Sequence, residues 1–156
     1  MIVELPDLAN VRGTLAHGCF DLLHIGHIRY LKWAASLNKL HPLIVTLTAD
    51  AHFPKYKGEC RPAFPQDIRA ECISALRFVD FVAIVDEPSA VMAIDIVRPH
   101  IYCKGWEAQG VIPHEVEAVE RHGGRVEYMD KECASGQIYS SGAILSGAYL
   151  ASRKRT

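Results

Sequence analysis

Short apolar runs alternate with longer segments of helical period along this sequence, and that alternation constrains the fold more than any other feature. Thr14 to His17 reads as a strand ending at Gly18, and Gly26 to Leu40 as a helix with Ile28, Leu31, Ala34, Ala35 and Leu37 near one face. Leu43 to Thr48 is a strand by its β-branched content. Pro65 to Leu76 reads as a helix with proline near its first turn, and Phe78 to Val85 as a strand. Ser89 caps a helix that runs to Val97 and is stopped by Pro99. Ile101 to Lys104 is a fourth strand, His114 to His122 a helix closed by Gly123-Gly124, and Arg125 to Met129 a fifth strand. A last helix is expected from Ser140 or Ser141 to about Leu150. Such alternation implies α/β architecture, a parallel sheet with helices on both faces. One domain is expected over residues 1–156, with its core at about 13–150.

Composition agrees with that size. A chain of 156 residues buries a core without staples. With 49% hydrophobic and 22% charged residues it has no bias toward disorder. The formal net charge of -1 gives no electrostatic ground for nucleic acid, and Arg153-Lys154-Arg155 reads as a solvated tail. No apolar run approaches the roughly 20 residues that cross a bilayer, so no membrane association is expected. Glu4 and Asp7 stand where a signal peptide would be basic and then apolar. Five cysteines, an odd number without a C-x-x-C pair, argue against a disulfide framework or a zinc site and point to the cytoplasm.

In parallel sheets ligands bind at the carboxyl ends of the strands, near the point where strand order reverses. The loops after His17, Thr48, Lys104 and Met129 therefore carry the chemical interest. The polar stretch from Ala49 to Pro62 is too long for a tight turn and is a candidate functional loop. The strongest signal is Gly18-Cys19-Phe20-Asp21-Leu22-Leu23-His24-Ile25-Gly26-His27. Gly18 lets the backbone turn and a ligand approach its amides. His24 and His27, three apart at a helix start, project from one face. Gly26 between them leaves room for a base or ribose, and free amides at the positive end of the helix favour phosphate. Two imidazoles there can donate to phosphate oxygens as charge builds in a transition state.

The segment resembles the signature of the cytidylyltransferase-like nucleotidyltransferases, a Rossmann-like family whose H-x-G-H motif is shared with class I aminoacyl-tRNA synthetases. Lys57-Gly58-Glu59-Cys60-Arg61-Pro62, Pro99 to Gly105, Gly123-Gly124 and Tyr139-Ser140-Ser141 are similar to segments of the nucleotidyltransferase part of ADP-heptose synthases. Glycerol-3-phosphate cytidylyltransferases are next in pattern. The resemblance spans about Gly13 to Leu145. It implies that His24 and His27 contact the triphosphate and stabilise the reacting α-phosphate. Gly18, Cys19, Phe20 and Gly26 would line the nucleotide, and Asp21 would lie close to the reacting phosphates and acceptor. Lys57 would neutralise triphosphate charge, and Ser140 and Ser141 would hold the β,γ-phosphates. Lys104, Trp106 and Glu107 would face the acceptor, while Asp50, Arg61 and Arg69 match positions near the site. A homodimer is what the family implies.

The sequence also departs from the pattern. Gly142 stands where the family usually has threonine, and Trp106-Glu107 replaces Gly-Asp. The implied reaction is in-line attack on the α-phosphorus of a nucleoside triphosphate, in which positioning and charge neutralisation dominate. A phosphate-monoester acceptor is largely dianionic at pH 7 and needs no general base. Magnesium is expected with the triphosphate, and no protein metal ligands are expected. ATP with a heptose-type sugar 1-phosphate is the favoured pair. CTP with glycerol 3-phosphate is the alternative, and a non-catalytic nucleotide-binding regulator is a second one. A synthetase fragment would need a K-M-S-K-S-like loop, which the sequence lacks.

Overall fold

A computed structural model describes residues 1–54 and 61–130, together with Gly142 and Ile144. Lys57, Ser140, Ser141 and the expected last helix lie outside the described residues. The strands are β1 (Thr14–Gly18), β2 (Leu43–Thr48), β3 (Phe81–Val85), β4 (Ile101–Gly105) and β5 (Arg125–Met129). The helices between them are α1 (Ile25–Leu37), α2 (Gln66–Ser74), α3 (Val91–Val97) and α4 (Pro113–Arg121). All four strand pairings are parallel, in the order β3-β2-β1-β4-β5.

Period-two alternation along the strands builds one core on each side of the sheet. Ala16, Val45, Leu47, Val82 and Cys103 face Leu31 and Ala34 of α1 and Ala70 and Ile73 of α2. Leu15, Ile44, Ala83, Val85 and Tyr102 face Ala93, Ile94 and Val97 of α3 and Ala118 and Val119 of α4. The chain winds outward from β1 to β3 and then returns to place β4 on the other side of β1. The order reverses between β1 and β4, and the crevice at their carboxyl ends is the expected ligand position.

The packed body begins earlier than residue 13. Leu5 and Leu8, in a 3-10 turn, are buried in the α3–α4 core. Ile2 forms a parallel bridge to Val82, covering the free edge of β3. A helix to Leu40 was expected, but α1 ends at Leu37, where Asn38 turns extended and its side chain accepts from the Leu40 amide at 3.3 Å. The β3 strand starts at Phe81, not Phe78, because Val79 closes a turn onto the Leu76 carbonyl. No helix among the described residues is long and apolar enough to cross a membrane.

His17 of β1 is buried, with Nδ1 3.0 Å from the Thr46 hydroxyl and Nε2 3.2 Å from that of Thr48. Burial first, and then the nearby Lys104 ammonium, lower its pKa to about 3. Between about pH 6.5 and about 3 the unfolded chain therefore binds a proton that the folded chain does not, so stability falls as pH falls through that window. His17→Gln, which lacks the proton, is expected to lose less stability than wild type between about pH 6.5 and 4 in urea denaturation. Parallel losses would contradict this.

Candidate active site

The turn leaving β1 is folded tightly. Phe20 adopts a left-handed backbone (φ 49°), uncommon for a bulky residue, and its ring is buried edge-on to His27 at 5.3 Å between centroids. His24 is the N-cap of α1, and its Nδ1 accepts the Gly26 amide at 3.1 Å. With Nδ1 accepting, the ring proton of the neutral tautomer is assigned to Nε2. The His24 and His27 rings stack at 3.7 Å with 22° between their planes. Both are half-buried.

Gly26 is also required by the His24 ring. A Cβ at this position would lie 2.9 Å from Cε1 and 3.0 Å from Nδ1 of His24, so glycine is what lets that ring fold over the helix start. The Gly26 amide is the one that His24 caps. Alanine would favour the helix by up to about 1 kcal/mol, yet it must displace the His24 ring. Gly26→Ala is therefore expected to lose roughly 10²-fold in turnover, the scale of a misplaced catalytic group, with little change in Tm, because the helix gain offsets the lost cap. Full activity in this variant would contradict the ring's role.

Asp21 is placed differently from the expectation that it lies at the acceptor. Its carboxylate is buried, the residue being 1% exposed. It accepts from the amides of Ala63 (2.9 Å) and Phe64 (3.0 Å) and lies 2.7 Å from Arg61 Nε. A carboxylate so enclosed holds the segment after residue 60 against the β1–α1 turn. Arg61 completes the clamp through Nη2, which donates to the Asp21 carbonyl at 2.6 Å.

Arg69 of α2 is likewise interior. Its guanidinium donates to the carbonyls of Cys19 (2.6 Å), Thr48 (2.9 Å) and Phe64 (3.1 Å) and to Asp50 Oδ1 (2.6 Å). One planar fork thereby fixes the loops after β1 and β2 relative to each other. Asp50 also receives the Gln66 amide at 3.1 Å and returns its own amide to Gln66 Oε1 at 2.9 Å, capping α2 from outside the helix. Asp50, Arg61 and Arg69 thus brace the turn.

At the end of β4, Lys104 Nζ lies 3.2 Å from Glu115 Oε2 and 5.4 Å over the Tyr102 ring. Trp106 and Glu107 open a 3-10 turn; Trp106 is half-buried and Glu107 exposed. A Cβ on Gly105 would collide with the Glu107 carboxylate, which folds back over that glycine. Sequence reasoning missed Glu115, since an acidic residue in a helix's first turn is ordinary. It also missed Tyr30, whose buried hydroxyl donates to the Cys103 carbonyl at 2.5 Å and ties α1 to β4.

No group of three or more His, Cys, Asp or Glu suited to a metal occurs among the described residues. The Asp21 and Asp50 carboxylates are committed to amides and guanidinium groups.

The family model described as Cytidylyltransferase-like matches residues 15–129, which hold the sheet, the stacked histidines and the braced turn. The chain belongs to the cytidylyltransferase-like family. It is 42% identical over 128 residues to the bifunctional protein HldE of Geobacter sulfurreducens, covering 81% of this chain and 25% of that protein. The bifunctional protein HldE of Pelobacter propionicus is 38% identical over 129 residues, covering 81% and 26%. The chain thus spans about a quarter of the length of these curated relatives. Among solved structures, the lipopolysaccharide core biosynthesis protein from Thermoplasma volcanium superposes with a TM-score of 0.61 at 27% identity, covering 73% of this chain and 90% of that one. By family this is a nucleotidyltransferase domain, and its Rossmann-like sheet accords with the resemblance read from the motifs.

Proposed function

We propose that this domain transfers a nucleoside monophosphate from a nucleoside triphosphate to a phosphorylated small molecule and releases pyrophosphate. An oxygen of the acceptor phosphate attacks the α-phosphorus, the bond from that phosphorus to the bridging oxygen breaks, and pyrophosphate leaves with the electron pair. The observation that carries the reading is the His24–His27 stack at the switch-point end of β1, with a donor assigned to His24 Nε2. Donors fixed in advance meet the charge that develops on the α-phosphate without reorganising during the reaction. Magnesium, entering with the triphosphate, would neutralise phosphate charge. In this reading Lys57 meets the triphosphate, Ser140 and Ser141 hold its β,γ-phosphates, and Trp106 and Glu107 border the acceptor.

ATP with a sugar 1-phosphate of the heptose type is the pair we propose. The support is similarity to the HldE proteins over this part of their length and the Lys57–Pro62 and Lys104-Gly105 segments that resemble ADP-heptose synthases. The half-buried Trp106 offers a sugar ring an apolar face, from which three-carbon glycerol phosphate gains little. Initial rates over ATP, CTP, GTP and UTP against sugar 1-phosphates and glycerol 3-phosphate test the choice. ATP with the heptose phosphate is expected to lead. CTP with glycerol 3-phosphate as the sole productive pair would replace the substrates and leave the reaction class intact.

A further inference from the structure

Glu115, in the first turn of α4, is 8% exposed, and its carboxylate collects donors from two other elements. The Ala90 amide, at the start of α3, donates to Oε1 at 3.2 Å. The Tyr102 hydroxyl donates to Oε2 at 2.8 Å, and Lys104 Nζ lies 3.2 Å from the same oxygen. A buried carboxylate with three donors is rigid, and so is whatever it holds. What it holds is a cation at the carboxyl end of β4, beside β1, where the sheet order reverses. Its side chain is 16% exposed. An ammonium carries three donors, and one carboxylate oxygen engages only one of them well.

We infer that Glu115 is a positioning residue for the acceptor site, holding Lys104 so that its ammonium receives the phosphate of the acceptor at the β1–β4 crevice. This rests on the nucleotidyl-transfer reading above and adds to it the residue that fixes the acceptor's cation. A lysine on four free torsions would lose much of its advantage through disorder, whereas one pinned between a carboxylate and the Tyr102 ring is ordered before the phosphate arrives.

The test is a double-mutant cycle on the whole chain with E115Q, K104M and the double variant, reading KM for the acceptor, KM for the triphosphate, kcat and Tm. Gln keeps the volume and one oxygen, enough for either the Tyr102 hydroxyl or the Ala90 amide but not both, and loses the charge that holds Lys104. Each single substitution is expected to raise the acceptor KM about tenfold with the triphosphate KM changed less than about twofold. The double variant is expected to be no worse than K104M, because Glu115 acts through Lys104. K104R, which keeps a cation, is expected to recover most of the acceptor affinity. Additive effects, or an unchanged acceptor KM in E115Q, would overturn the role even if Tm falls, since a merely structural glutamate would lower Tm alone. If E115Q does not fold, K104M decides: an unchanged acceptor KM overturns the inference. A wild type that turns over no acceptor overturns the functional reading and this role with it, whereas turnover with additive substitutions overturns the role alone.

Discussion

His24→Ala and His27→Ala are each expected to lower turnover by about 10²–10³, the scale for removing one donor aimed at developing charge. The two variants should differ in stability. His24 is also the N-cap of α1, accepting the Gly26 amide, so its loss costs about 0.5–2 kcal/mol of folding free energy as well. His24→Asn separates the two roles, because an amide oxygen can cap the helix but does not place a donor where Nε2 lies. It is expected to fold like wild type and remain as slow as His24→Ala, by thermal melting and pyrophosphate assay. More than a third of wild-type rate in either alanine variant would remove that histidine from the chemistry.

Arg69→Met is the substitution with the largest expected effect on the fold. It leaves the carbonyls of Cys19, Thr48 and Phe64 and one oxygen of Asp50 without the donor they share. Removing the buried member of such a network costs about 3–5 kcal/mol, or roughly 10 °C or more in Tm for a domain of this size. The exposed Arg125–Glu127 pair, at 2.7 Å, provides the contrast. Arg125→Ala is expected to stay within about 1 kcal/mol of wild type, as exposed ion pairs do. Calorimetry of both variants checks this; similar melting temperatures would show that Arg69 carries no special share.

Local period and local motif were the legible parts of this chain. Both β2 and β5 run over the residues expected from their apolar runs, and the helices among the described residues differ from expectation only at their ends. Those ends depend on partners remote in sequence. The cap on α2 comes from Asp50, and the Leu43 amide donates to the Asp80 carboxylate at 2.8 Å just before β3 begins. The N-terminal turn carries too short an apolar pattern to signal burial, although Leu5 and Leu8 end in the core. In the site, the H-x-G-H segment was legible because its parts are neighbours along one turn. What braces it was not, since Arg69 and Cys19 are 50 residues apart and Asp21 meets Ala63 across 42. A buried aspartate and an aspartate facing a ligand look alike in sequence; only the enclosure by Arg61 and two amides separates them.

The central claim is that the acceptor's phosphate displaces pyrophosphate from a nucleoside triphosphate at the His24–His27 end of the sheet. Phosphorus NMR of the whole chain with magnesium, ATP and a heptose-type sugar 1-phosphate tests it most directly, with His27→Ala run beside it. The account predicts pyrophosphate and a new diphosphate diester, its two phosphorus atoms joined by the new anhydride bond, growing in equal amounts, with the variant slower by about 10²–10³. Orthophosphate in place of pyrophosphate, or equal rates in the two proteins, would contradict it, as would an unchanged spectrum across every triphosphate and acceptor pair from a protein that still binds nucleotide.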